Sequence, residues 1–143
     1  MRSLGSPRRL VTAAQVEDFE QELVDQWALA LAGAGCVDSF VACQRGIIVE
    51  FVRFVGRPVW TAGPEDADRY LGWLRADRGL APSTVKEKAW SVGRFFDFLT
   101  VRYQGDIHAL TGVVLGQPID EFNRPAKADY GVGRVPPSDG EVG

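Results

Sequence analysis

Residues 82–103 read PSTVKEKAWSVGRFFDFLTVRY, and this stretch carries the clearest helical pattern of the chain. Its apolar residues recur at alternating steps of four and three, at Val85, Ala89, Val92, Phe96, Leu99 and Tyr103. This spacing lies on one face of an α-helix and predicts that the face is buried. The helix begins either with Thr84 and Glu87 as a capping box or with Ala81 as the cap before Pro82.

Two helices are predicted upstream of residue 60. Thr12 and Gln15 fit a capping box at the start of the first, and Gly33 with Gly35 fits its end. Residues 38–55 form the second, in which the interior glycine at position 46 is expected to let a neighbouring helix approach closely.

The predicted third helix starts at Pro64, whose missing N–H suits the first helical position, and it ends at Gly79. Beyond Tyr103, residues 106–115 are predicted to form a separate short helix. From Gln117 onward the amphipathic pattern is lost, which favours a linker or a disordered tail.

The fold class predicted from these patterns is all-α, with a helix at the N-terminus and a disordered C-terminal tail. The N-terminal helix either packs within the chain or docks on a second subunit. The predicted organisation has four parts, which are a flexible arm at 1–11, the N-terminal helix at 12–35, a helical domain at 36–117 and a linker or tail at 118–143.

Composition excludes several classes of protein. The 143 residues carry a net charge of −3, but residues 36–103 hold ten basic and eight acidic side chains and are the only net-basic region. Cys36, Cys43 and the single His108 do not make a zinc set, so both cysteines are expected to be buried apolar residues and no metal or cofactor is expected. No apolar run approaches a membrane span and the first residues lack a signal-peptide core, so we expect a cytoplasmic protein without membrane contact.

The order of several short motifs resembles the core-binding domain of tyrosine recombinases, the phage-integrase family. The matching stretches are FVRFVGRP at 51–58, GLAPST at 79–84, FFDFL at 95–99 and PIDEFNRP at 118–125. The resemblance covers residues 38–125. It implies a SAM-like fold, a compact orthogonal bundle of four to five helices, to which the N-terminal helix of this chain is an extra element. It also implies binding of double-stranded DNA during integration or excision of mobile DNA, with other recombinase protomers as partners and no small-molecule substrate.

The catalytic set of that family is not recognisable in this chain. The family uses two arginines, a histidine and a nucleophilic tyrosine, with an arginine three residues after the histidine, whereas Thr111 stands three residues after His108. Tyr70 and Tyr103 fall on apolar stripes and are predicted core residues, and His108 is predicted at a surface or helix end. Because this set is missing, the expectation is a noncatalytic protein, either a truncated or remnant recombinase or a stand-alone core-binding domain.

The predicted DNA-binding surface starts at the N-terminus of the helix at 82–103, where hydroxyl groups and helix amides suit phosphate. Asp97 lies on the same outward face and would repel phosphate. Trp90 either belongs to this ridge or packs against the first helix. The predicted set is Arg45, Arg53, Arg78, Ser83, Thr84, Lys86, Lys88, Trp90 and Arg94.

Two other function classes compete with DNA binding. A helical protein-interaction or oligomerisation module is supported by the acidic total charge and by the N-terminal helix with Trp27. An independent small enzyme has little support, because no nucleophile, metal cluster or phosphate loop is recognisable.

Overall fold

Four α-helices and one short 3₁₀ turn make up the regular structure in the computed structural model, which describes residues 9–125. The elements are α1 (Ala13–Gly33), α2 (Asp38–Val55), a 3₁₀ turn (Val59–Thr61), α3 (Pro64–Ala76) and α4 (Pro82–Thr111). Within the described residues there is no strand. The all-α prediction is therefore confirmed.

Helix α1 begins as the sequence predicts. The Thr12 hydroxyl accepts a hydrogen bond of 3.1 Å from the Gln15 amide, and the Gln15 side chain accepts one of 3.1 Å from the Thr12 amide. Phe19, Leu23 and Trp27 of this helix are buried in the same core as the other three helices. Of the two alternatives for the N-terminal helix, packing within the chain is the one observed.

Helix α4 begins at Pro82 with Ala81 as its cap, and no side chain caps it. The capping box of Thr84 and Glu87 is therefore wrong. The Thr84 and Val85 amides donate to the Ala81 carbonyl at 3.0 and 3.1 Å instead.

The predicted helix end at Tyr103 and the separate helix at 106–115 are also wrong, because α4 runs unbroken to Thr111 over 30 residues. Ile107 and Leu110 continue the buried stripe beyond Tyr103. Gly105 lies exposed in this stretch and does not end the helix, since packing of the stripe outweighs the ~1 kcal/mol that a helical glycine costs. The helix ends at Gly112, which adopts a left-handed conformation with a φ of 78°.

Aromatic rings form the centre of the core and hold the helices together. Phe51 of α2 meets Tyr70 of α3 edge-on, with ring centroids 5.1 Å apart, and it meets Phe96 of α4 at 6.3 Å. Trp27 of α1 meets Phe95 of α4 at 5.4 Å. Each pair lies within the roughly 4.5–7 Å range of favourable aromatic contact, so every helix contributes a ring to the core.

The segment from residue 117 to 125 is packed, which corrects the prediction of a linker or disordered tail there. Ile119 is buried and lies 3.6 Å from the position that a Cβ on Gly93 would occupy. The Asn123 side chain donates to Asp68 of α3 at 3.0 Å. The sequence does not reveal this packing because the segment is too short for a periodic pattern. The rest of the predicted tail, 126–143, lies outside the described residues.

Only residues 9–11 of the predicted flexible arm are described, and Leu10 is attached to the end of α4. Its amide donates a hydrogen bond of 2.8 Å to the Leu110 carbonyl, and its side chain packs against the core. The first eight residues of the arm lie outside the described residues.

Two local expectations are wrong. Among the described residues, no atom outside the backbone of α2 itself lies within 4 Å of a Cβ built on Gly46, so no described helix makes a close approach at this glycine. Cys43 is exposed and Cys36 is half-buried in the turn before α2, so neither is a core residue.

Among residues 9–125, no helix combines the length and apolar character needed to cross a bilayer.

Candidate nucleic-acid interface

The outward face of α4 forms one wall of a surface groove. Lys86, Trp90 and Arg94, which the sequence places at four-residue steps, all line it. The opposite wall is the segment 117–125, which folds back along α4. The groove encloses about 360 Å³.

Hydrogen bonds fix the second wall against α4. The Gln117 side-chain amide donates to the Gly93 carbonyl at 3.0 Å and to the Asp97 carboxylate at 2.9 Å. Asp120 caps the turn that follows, because its carboxylate accepts from the Phe122 and Asn123 amides at 2.9 Å each. The groove therefore has two walls that are each held by packing and hydrogen bonds.

Trp90 is the aromatic side chain of this groove, and it is 45% exposed. The guanidinium carbon of Arg94 lies 5.0 Å from its ring centroid, a cation–π contact. Its ring neighbour is Phe40 of α2, with centroids 6.4 Å apart. The alternative that Trp90 packs against the first helix is therefore wrong, and its place in the outward ridge is the one observed.

Three basic residues line the groove, which are Lys86, Arg94 and Arg124. Arg124 was missed by the sequence reasoning, because only the folding back of residues 117–125 brings it to α4. Asp97 also lines the groove, but one of its oxygens accepts the Gln117 amide. The balance of charge along the groove is therefore cationic.

Ser83 and Thr84 lie in the first turn of α4, three and two residues before Lys86. Ser83 is exposed, Thr84 is half-buried, and neither hydroxyl caps the helix. Because the N-terminal end of a helix carries a partial positive charge, this end adds to the attraction for an anion near Lys86.

Lys88 and Arg78 do not join the groove, because both pair with Glu50. The Lys88 ammonium donates to Oε1 of Glu50 at 2.9 Å, and Nη1 of Arg78 donates to Oε2 at 2.7 Å. The Lys88 side chain is only 15% exposed. Arg78 also lies over the Trp73 ring at 5.3 Å. Both cations therefore stabilise the packing of the helices against each other.

The carboxylate of Glu50 is the centre of this cluster. Burial favours its neutral form, but hydrogen bonds from Tyr70, Lys88 and Arg78 outweigh burial and lower its pKa below the ordinary value. Burial and the hydrogen bond to Glu50 raise the pKa of Tyr70 far above its usual range. Tyr70 is thus a neutral phenol and Glu50 a charged carboxylate.

Arg45 and Arg53 line a different recess, between α2 and α3, together with Phe54 and Trp73. Arg45 forms an ion pair with Asp25 of α1. Arg53 is exposed and lies beside α1 in a second recess that Asp18 also lines. The structure does not bring these two arginines to the groove beside Trp90.

The tyrosines and the single histidine of the described residues lie outside the groove beside Trp90. Tyr70 and Tyr103 are buried, and His108 is exposed in the last turn of α4, which confirms all three sequence predictions. Tyr130 lies outside the described residues. Between residues 9 and 125, no group of three or more histidine, cysteine or acidic side chains is arranged to hold a metal ion.

In comparisons with known proteins, the chain matches no family model, no curated protein and no solved structure.

Proposed function

We propose that this chain is a DNA-binding helical domain that binds the phosphate backbone of duplex DNA along the outward face of α4. The observation that carries the proposal is the alignment of Lys86, Trp90 and Arg94 in one groove with Arg124 on its opposite wall. Cationic side chains beside a helix N-terminus supply most of the affinity in such interfaces.

The proposed role is that of a core-binding domain of a tyrosine recombinase, without chemistry of its own. The support for the family is the resemblance over residues 38–125 together with an all-helical fold. The support for a noncatalytic role is the placement of Tyr70, since its hydroxyl is buried and donates to Glu50 at 2.7 Å. Such a phenol is unavailable as a nucleophile.

Affinity is expected in the nonspecific range of ~10⁻⁴–10⁻⁶ M, with a steep decline as salt rises. The test is fluorescence anisotropy of a short labelled duplex at low salt. The double substitution Lys86→Glu with Arg94→Glu should weaken binding about tenfold or more, because it reverses two phosphate contacts.

A matched control distinguishes a loss of affinity caused by changes in the groove from one caused by the change in overall charge. Arg75 and Arg102 are exposed cations of α3 and α4 that do not line the groove. Changing both to Glu makes the same change in net charge. Equal losses of affinity for the two double variants would show that the groove is not the binding surface.

A protein-interaction module is the alternative. It is favoured by Phe122, which is 88% exposed on the segment that forms the second wall of the groove. Sedimentation of the wild type and of Phe122→Ser at several concentrations tests it. Self-association that the substitution abolishes, together with no DNA binding, would establish the alternative, whereas a strict monomer that binds DNA would remove it.

A further inference from the structure

We propose that the groove beside Trp90 takes one unstacked nucleotide, so that the domain prefers DNA in which a duplex opens into a single strand. This inference rests on the proposed DNA binding, and it names the form of DNA that the same site prefers.

The first argument is the pair of planar side chains. The Arg94 guanidinium lies over the Trp90 indole at 5.0 Å, and the indole remains 45% exposed. Nucleobases that are free of their own stack pack on aromatic rings and on guanidinium planes. Bases inside a duplex are already stacked on each other, so they cannot use such a partner.

The second argument is the position of the charges around this aromatic pair. Lys86 lies one helical turn before Trp90, and Arg124 lies on the opposite wall. Cations on both walls suit the two phosphates that flank a single base. Asp97 accepts the Gln117 amide at 2.9 Å, which reduces its repulsion of phosphate.

The third argument is the size of the groove. Its volume of about 360 Å³ is near the lower end of the roughly 300–1,000 Å³ of small-molecule sites. Ala89 and Gly93 of α4, which carry little or no side chain, also line it, as does Ile119 of the opposite wall. A groove of this volume suits a single nucleotide better than a longer segment.

The test compares three fluorescein-labelled probes by anisotropy at one low salt concentration. They are a blunt duplex, the same duplex with a short oligo(dT) overhang, and oligo(dT) alone. The overhang should bind about tenfold more tightly than the blunt duplex, as expected for the stacking of one base.

Three substitutions at two positions assign the preference to the aromatic pair. Trp90→Ala should abolish the preference for the overhang, and Trp90→Phe should retain much of it, because a smaller ring still stacks. Arg94→Ala should reduce it as well. The matched control is Arg102→Ala, since Arg102 lies over Phe98 at 5.4 Å in the same way on the same helix but outside the groove.

The outcomes distinguish the two proposals. Equal binding of the blunt and overhang probes overturns the nucleotide site and leaves duplex binding in place. Failure to bind any probe overturns both. A preference that survives Trp90→Ala and Arg94→Ala also overturns the site, and circular dichroism verifies that each variant is folded.

Discussion

The hydroxyl of Tyr70 donates a hydrogen bond of 2.7 Å to Oε1 of Glu50, which joins α3 to α2. The same oxygen accepts the Lys88 ammonium of α4 at 2.9 Å, and the other oxygen accepts Arg78 at 2.7 Å. One partly buried carboxylate thus links three helices. It also removes two cations from the predicted DNA-binding set.

Tyr70→Phe should lower the free energy of unfolding by ~1.5–3 kcal/mol, the usual contribution of a hydrogen bond to a charged group. Urea unfolding of Tyr70→Phe, Glu50→Ala and the double variant provides a double-mutant cycle, because alanine removes both oxygens that could accept the hydroxyl. A coupling energy of about 1 kcal/mol or more is expected for groups in direct contact. Strictly additive losses would show that the hydrogen bond contributes nothing to stability.

Acid should destabilise the fold through Asp66. Burial opposes its charged form, but hydrogen bonds from Arg57 and from the Gly63 amide outweigh burial and hold its pKa below the ordinary value. Because the folded pKa is lower than the unfolded value of ~3.9, the stabilisation is fully present above that pH. It is lost as the pH falls through the folded pKa.

The measurement is the free energy of unfolding as a function of pH. Asp66→Asn should lower stability at neutral pH and flatten its decline in acid. Asp77→Asn, at an exposed acidic position just after α3, makes the same change in net charge and is the control, which should change stability at neutral pH by less than ~0.5 kcal/mol. An identical acid profile for wild type and Asp66→Asn would contradict the assignment.

Ile119→Ala should lower the free energy of unfolding by ~2 kcal/mol, near the lower end of the cost of truncating a buried isoleucine. The reason is its buried contact with α4 beside Gly93. Phe122→Ala removes a larger but 88% exposed side chain of the same segment and should change stability by less than ~0.5 kcal/mol. If Ile119→Ala were as neutral as Phe122→Ala, the segment would not be packed on α4.

Gly46→Ala and Gly105→Ala should each raise the free energy of unfolding by ~0.5–1 kcal/mol, because a helical glycine costs more backbone entropy than alanine. Apart from the backbone of the same helix, no atom of residues 9–125 lies within 4 Å of the added methyl group at either position. Gly112→Ala is the contrasting control and should destabilise, since Gly112 has a φ of 78°. Thermal unfolding of the three variants tests the prediction, which fails if the two helical substitutions destabilise.

Asp97→Asn should strengthen DNA binding a few-fold at low salt, because it removes a negative charge from the groove. The new amide keeps an oxygen that accepts the Gln117 side chain, so the second wall should remain in place. Anisotropy titrations at increasing salt measure the effect, which should shrink as screening grows. Asp77 lies away from the groove. If Asp77→Asn raised the DNA affinity by the same factor, the gain would be a general effect of net charge and not an effect of the groove.

The sequence by itself determined the existence of the four helices, although not the end of α4. Apolar residues at steps of three and four, the Thr12 capping box and the proline at the start of α3 are local signals, and local signals decide where helices form. The ridge of Lys86, Trp90 and Arg94 follows from the same periodicity, because residues four apart share a helix face.

Only the tertiary structure decided which basic side chains form ion pairs between helices and where the groove lies. Nothing in the local sequence marks Lys88 as paired, yet Glu50, 38 residues before it, forms an ion pair with it once α2 packs against α4. Arg124 reaches the groove because Ile119 buries itself beside Gly93. The physical reason is that burial and ion pairing depend on contacts between residues far apart in sequence, which periodicity along one helix does not contain.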